Sequence, residues 1–322
     1  MYLGLDLGTS GVKAVLLGAD GALLGQATAS LRVSNPHPLW SEQAPQDWWA
    51  AAGAAIHALG TTHDLSGVRA IGLSGQMHGA VLLDVADEVL RPAILWNDGR
   101  SHAQCDELEL AEPRSRAITG NLAMPGFTAP KLLWVRRHEP AIFARMRRVL
   151  LPKDWLRLRM TGAAVSEMSA AAGTLWLDVG ARRWSGAMLQ ATGLDERHMP
   201  ALIEGNAASG RLRAEIAAAW GLPRGCLVAG GGSDNAAGAV GMGYVAPGQA
   251  LVSLGTSGVI FTADAEFTPD AARAVHSFCH CLPGLWQRMS VSLLAAASLS
   301  WITRVMAAKR LSDMRCHRPG RQ

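Results

Sequence analysis

The sequence predicts an α/β fold, and three observations carry that expectation. Short apolar runs bounded by glycine alternate with longer segments of helical period over most of the 322 residues. A strand, a Gly-Thr-Ser-Gly turn and a second strand occur around residues 8–11 and again around 255–258, which predicts two related lobes that open alike. Hydrophobic residues make up 49% of the chain and charged residues 17%, enough for a packed interior. At about 100–200 residues per domain, the length suits two domains, or one and a piece.

Residues 2–6 alternate apolar and small side chains and end on Asp6. Residues 11–17 resume as a strand with Val12, Ala14 and Leu16 on one side, and residues 22–29 form a third. Asp20-Gly21 between these two runs is a strong hairpin signal. A helix is expected over 46–59, offering Trp48, Trp49 and Ile56 for packing. Strands follow at 68–73, 80–84 and 93–96, and helices at 101–110, 130–138 and 152–160. Residues 166–173 are rich in serine and alanine and are expected as a loop. A strand at 227–231, a helix from 232 and strands at 250–254 and 259–262 complete the pattern. Tyr244-Val245-Ala246-Pro247-Gly248 has linker composition, so a boundary is expected between 1–245 and 246–322. The last eight residues are basic, polar and aperiodic, and the tail after Trp301 reads as an altered frame or an early stop.

The net charge is +4, with lysines and arginines scattered, which argues against a nucleic-acid partner. Five irregularly spaced cysteines do not form a disulfide framework. Cys279-His280-Cys281 is too tight for a zinc clip and is read as free thiols in a half-buried strand. The start carries no basic leader, and no apolar run approaches the roughly 20 residues of a membrane span. A soluble cytoplasmic protein is expected. A homodimer is left open.

Glycine-rich turns expose backbone N–H groups that cradle phosphate, so Gly8, Thr9, Ser10, Gly255, Thr256 and Ser257 are candidate phosphate contacts. The alternative is a pair of plain hairpins. Asp6, just before the first turn, is placed either to hold a phosphate-bridging metal, directly or through water, or to cap its own turn. Gly230-Gly231-Gly232-Ser233-Asp234-Asn235 opens a helix. Ser233 or Asp234 there serves as a helix cap, the Asp234 carboxylate serves as a base for a substrate hydroxyl, or both hold. Gln76-Met77-His78-Gly79 reads as a pocket-facing loop, although a lone histidine is more often structural. Trp96-Asn97-Asp98-Gly99-Arg100 suits a sugar, with an aromatic face beside polar groups, or else is a plain turn.

Together these segments resemble the FGGY carbohydrate kinases. The opening MYLGLDLGTSGVKAVLL is similar to the family's first phosphate motif, GFTAPKLLWV at 126–135 to its signature, and SLGTSG at 253–258 to its second phosphate motif. SGQMHG at 74–79, ILWNDGR at 94–100, ITGNLAMPGFTAPKLLWV at 118–135, LLPKDWLRLRMTG at 150–162 and GGGSDNAAGAVG at 230–241 resemble bacterial members acting on D-xylulose. The resemblance runs from residue 1 to about 301. It implies the sugar kinase, heat-shock ATPase and actin-like fold, with two ribonuclease-H-like domains around a cleft, the first complete and the second incomplete. It implies transfer of the γ-phosphoryl group of Mg²⁺-bound ATP to D-xylulose. By the same resemblance Asp234 is the general base, and Asp6 is the carboxylate near Mg²⁺ and the phosphates. Met77 and His78 are sugar contacts, with Gln76, Trp96 and Asn235 expected at the same site.

Two departures stand out. Ala170 occupies a position where the family usually has aspartate, and nothing here matches the family's glycine-rich adenosine motif. Little or no kinase activity is therefore expected of this chain alone. The competing expectations are a non-catalytic sugar-binding remnant and a kinase for L-ribulose, glycerol or a related acceptor.

Overall fold

The computed structural model describes residues 1–254, 258–292, 295, 298–299 and 301–306. Strand β1 (Tyr2–Leu7) buries Leu3, Leu5 and Leu7 on one face and turns Gly4 and Asp6 to the other. The next strand, β2 (Gly11–Leu17), buries Val12, Ala14 and Leu16 and runs antiparallel to β1. A tight turn with Gly21 at φ +82° leads into β3 (Leu23–Ser30), so the Asp-Gly hairpin forms as expected.

Helix α1 (Pro45–Gly60) begins with proline in its first turn and Asp47 at its positive end. Trp48 and Ile56 are fully buried on its inner face, each burial contributing about 1.5–3 kcal/mol. Strand β4 (Ala70–Gly75) lies parallel to β1. Then come α2 (Thr128–His138), α3 (Pro152–Thr161) and a short α4 (Met168–Ala172). The serine- and alanine-rich segment is thus partly helical rather than a loop. Glu167 caps it, its carboxylate accepting the N–H groups of Ser169 at 2.7 Å and Ala170 at 2.9 Å, and the alanines that follow favour helix.

Strands β5 (Ala208–Arg211), β6 (Leu227–Ala229) and β7 (Gly232–Ser233) complete the first sheet, in the order β5-β6-β4-β1-β2-β3, with β7 also on β4. Helix α5 (Asp234–Gly241) leaves directly from β7. The segment 244–248 turns tightly, with Val245 and Ala246 N–H groups held by Gln249 Oε1 at 2.7 and 2.8 Å.

The second sheet is antiparallel, in the order β8 (Ala250–Leu254), β9 (Gly258–Asp264), β11 (Trp286–Ser292), β10 (His276–Cys279). Its β10 edge is fastened to the first region. Asn121 donates through Nδ2 to Ser277 O at 2.8 Å and accepts from Ser277 N at 3.2 Å, and Trp286 Nε1 donates to Val179 O at 2.9 Å. Cys279 and Cys281 are fully buried rather than half-buried, and they are free. Burial pushes both thiols up to about 12, so they stay protonated. Residues 301–306 are helical. Among the described residues no helix is long and apolar enough to cross a membrane, and no cluster of three His, Cys, Asp or Glu side chains suits a metal.

Candidate active site

Register brings the two aspartates together. Ser74, at the end of β4, lies opposite Asp6 of β1 and opposite Gly232 of β7. Asp234 follows two residues later, at the same edge of the sheet. Between β6 and β7 the chain must bulge past β4. Gly231 does so at φ +76°, where any Cβ would run into Leu73 O. A cleft of about 410 Å³ opens along this edge, bounded by Gly4, Asp6, Gly72, Gly232, Val240 and, from beyond the second sheet's β10, Cys281.

Asp234 starts α5. Ser233, the residue before it, makes no side-chain cap, so of the two cap alternatives the serine one does not form. Instead Asn235 donates to Asp234 Oδ1 from both its backbone N at 2.7 Å and its Nδ2 at 3.0 Å. Burial of the carboxyl raises its pKa to about 6; the Asn235 N–H opposes the shift, and the Asp6 charge adds to it. The residue as a whole is exposed, so water moderates the push.

The first Gly-Thr-Ser-Gly turn closes through Gly8 N–H to Gly11 O at 3.0 Å. Gly8 and Thr9 are half-buried and Ser10 is exposed. The Thr9 hydroxyl faces the sugar-predicted side chains. It accepts from Trp96 Nε1 at 2.9 Å and donates to Gln76 Oε1 at 3.3 Å, while Thr9 O accepts from Gln43 Nε2 at 2.8 Å. The second turn, with Gly255, Thr256 and Ser257, lies outside the described residues.

Gln76 and Met77 are buried, and Gln76 spends its amide on Thr9 and Gln43. His78 is half-buried in the left-handed region, at φ +67°. Its Nδ1 lies 2.6 Å from Gly173 O, and Phe127 packs edge-on at 4.6 Å. Burial drives the imidazole pKa down to about 3, against the Gly173 bond, which favours the charged form. The ring is therefore neutral near pH 7. A carbonyl only accepts, so Nδ1 carries the proton and Nε2 is left as an acceptor. Gly173 must stay small, because a Cβ there would meet His78 and Met77 at 2.8 Å. Trp96 is 42% exposed and offers a ring face.

Asp98 and Arg100 of the same segment are engaged within the fold. Asp98 pairs with Arg100 at 2.7 Å and accepts Ser41 N–H at 2.6 Å, while the guanidinium sits 3.6 Å over Trp40.

A set of buried charges beneath the site was missed from sequence. On α3, Asp154 binds Lys153 at 2.9 Å and Arg157 at 2.7 Å, and Ser166 donates to it at 2.6 Å. Burial pushes Asp154 up, but Lys153, Arg157 and Ser166 together hold it below the usual carboxylate range. Arg157 also donates to Gly230 O, and Ser169 Oγ accepts Ser233 N–H at 2.9 Å. Both contacts fix the segment that carries Asp234. The available signal was the run of charges in LLPKDWLRLRM, set among apolar residues.

The family model described as "FGGY family of carbohydrate kinases, N-terminal domain" matches residues 1–241. The chain belongs to the FGGY family. It is 58% identical over 305 residues to the xylulose kinase of Escherichia coli strain K12, an alignment covering 95% of this chain and 63% of that protein. The structure of a xyloylose kinase from Brucella ovis superposes with a TM-score of 0.93 at 57% identity, covering 95% of this chain and 63% of that one. The xylulose kinase of Rhodospirillum rubrum superposes at 0.91 with 29% identity, over the same shares of each chain. This chain therefore spans less than two thirds of these FGGY relatives. Their shared architecture is the sugar-kinase, actin-like ATPase fold.

Proposed function

We propose that these residues form the sugar- and phosphate-facing part of an ATP-dependent kinase that converts D-xylulose to D-xylulose 5-phosphate. The observation that carries this reading is Asp234 beside Asp6 at one cleft edge, its carboxyl raised to about 6. At pH 7 such a group is mostly ionised, yet it holds a proton better than an ordinary aspartate, as a base for a sugar hydroxyl must. Asp234 takes the proton as the hydroxyl oxygen bonds to the γ-phosphorus and the bond to ADP breaks. Asn235 holds one oxygen of that carboxylate through two hydrogen bonds. His78 Nε2 accepts a sugar hydroxyl, Trp96 covers an apolar face of the chain, and Gln76 and Met77 back them.

The turn around Gly8, Thr9 and Ser10 faces the phosphates, and Gly255, Thr256 and Ser257 are proposed for the second turn. Asp6 fits a magnesium ion, held directly or through water. Gly4 and Gly72 place no side chain beside it, and a Cβ at Gly72 would meet nothing within 4 Å. One carboxylate plus substrate phosphates is the usual way this cation is held, and when bound it neutralises charge on the phosphates. The names of the relatives support D-xylulose as acceptor, and the same reading puts the protein in the cytoplasm, with a domain boundary between residues 245 and 246.

The exposed outer face of the second sheet favours a narrower reading for these 322 residues, in which the sugar binds and turnover is weak or absent. Calorimetry with D-xylulose and with Mg²⁺-ATP, beside a phosphorylation assay, separates the two. Sugar binding with turnover that Asp234→Asn abolishes supports the kinase. Sugar binding without nucleotide binding supports the narrower reading. No D-xylulose binding sinks both, and preference for L-ribulose or glycerol replaces the acceptor.

A further inference from the structure

Lys131 of α2 is fully buried, and its ammonium ends on two backbone carbonyls rather than on a carboxylate. Burying an ammonium is costly unless its protons find partners, and an apolar residue of similar size would fill the space at less expense. Packing therefore does not explain the charge, but its partners do. Nζ donates to His78 O at 3.1 Å and to Gly126 O. One turn earlier on the same helix face, Thr128 Oγ1 donates to the same His78 O at 3.0 Å. His78 is a non-glycine residue in the left-handed region, a conformation that persists only where its surroundings enforce it. Gly126 in turn presses on the chain behind Trp96, since a Cβ on Gly126 would lie 2.7 Å from Trp96 O. One ammonium thus joins the turn that carries His78 to the turn that backs Trp96.

We propose that Lys131 is a positioning residue that sets the separation of the His78 and Trp96 walls and thereby the affinity for a polyhydroxylated sugar. The proposal rests on the assignment of His78 and Trp96 as sugar contacts. The groups facing Lys131 are Asp98, Arg100, Cys105 and His78. Burial lowers the ammonium's pKa to about 7, with Asp98 opposing and Arg100 adding to the shift. Below that pH the two carbonyls are held by charged donors, roughly twice as strong as neutral ones. Sugar affinity accordingly falls as pH rises through about 7. Lys131's contribution to stability runs the other way. Its folded pKa lies below its unfolded one, so between them the unfolded chain binds more protons and stability rises with pH. The stability trend follows from burial alone, and the affinity trend is the one that a lysine merely filling space does not give.

The test titrates D-xylulose into the full chain at about pH 6 and about pH 9, on either side of the Lys131 value of about 7. It also follows the His78 ring by ¹⁵N NMR across the same range. Lys131→Met is expected to weaken binding about tenfold or more and to remove the pH dependence, as loss of a charged hydrogen bond does. Thr128→Val, which keeps the ammonium, is expected to weaken binding less and to keep the pH dependence. It also serves if Lys131→Met does not fold. Equal affinity and an equal pH profile in parent and Lys131→Met overturn the proposal. If the parent binds no D-xylulose, the sugar assignment fails, and the ring signal decides on Lys131. A shift through about pH 7 in the parent, lost in Lys131→Met, supports the hold on His78, and a parent ring that does not respond overturns it.

Discussion

The first sheet is covered by elements of its own region. Leu3, Leu5 and Leu16 pack under Ile56 and Leu59 of α1, while Leu7 and Val12 pack with Trp48 and Trp155. The second sheet is covered on one side. Phe261 and Ala263 of β9 are buried, but Ile260 between β9's neighbours is 54% exposed, Val252 is 58% exposed and Leu254 is 75% exposed. Its hold on the rest of the molecule comes through the β10 side, where Phe278, Cys279 and Met289 join the apolar core that contains Leu132 and Leu133 of α2, and through bonds to Asn121 and Val179. The difference teaches where stability and function are coupled. Asp6 sits on the self-covered sheet and Asp234 directly follows its strand β7, so the geometry of both is set from a core that is already complete.

The sharpest way to break that comparison is through the buried charges under Asp234. Asp154→Ala leaves Arg157 and Lys153 buried with fewer partners, which costs about 3–5 kcal/mol. Urea unfolding measures it. The same variant should loosen Gly230, because Arg157 holds both Asp154 and Gly230 O. An unchanged unfolding midpoint would mean that this cluster does not support the site.

Leu5→Ala comes next, with an expected loss of about 2–5 kcal/mol from a fully buried strand position. If the two sheets melt apart, only the transition that carries α1 and the first sheet moves. A single transition shifting as a whole would show that the β10 fastenings couple the sheets fully.

A smaller effect tests Asp234 itself, and only its direction is predicted. Its folded pKa is raised to about 6 from an ordinary 3.8. Between those values the folded chain binds more protons than the unfolded one, so the contribution of Asp234 to stability falls as pH rises across that window. In Asp234→Asn that slope should vanish, as read by thermal melts across the range. A slope that survives assigns it to another group.

Much of the first sheet was legible because its strands alternate strictly, and a period of two with Asp-Gly between runs has few other readings. Asp6 and Asp234 were legible as glycine-flanked carboxylates, but their adjacency was not, since it depends on β4 pairing with both β1 and β7 across a long stretch of chain. The hidden parts are long-range hydrogen bonds. Thr9 was legible as part of a glycine-rich turn, but not the bonds of its hydroxyl to Trp96 and Gln76, residues far away in sequence. The segment 166–173 misled for a local reason: serine and alanine there suit a loop until the Glu167 side chain caps the turn. Lys131 sits in a motif legible as a family signature, yet nothing in that string says its ammonium ends on His78 O.

The least disruptive change tests the uncovered side of the second sheet. Val252 lies on β8, opposite Ile260 of β9, and both side chains are more than half exposed. Val252→Ser removes apolar surface that already meets water, so little transfer free energy is lost. The expected change in stability is within about 0.5 kcal/mol, the usual range for surface substitutions. An exposed apolar strand face promotes association, so the variant should also elute later or more sharply on gel filtration than the parent at equal concentration. A large loss of stability would show instead that Val252 is covered in solution, by a second copy or by chain from beyond the described residues. The contrast between a self-covered sheet and a half-covered one would then fall.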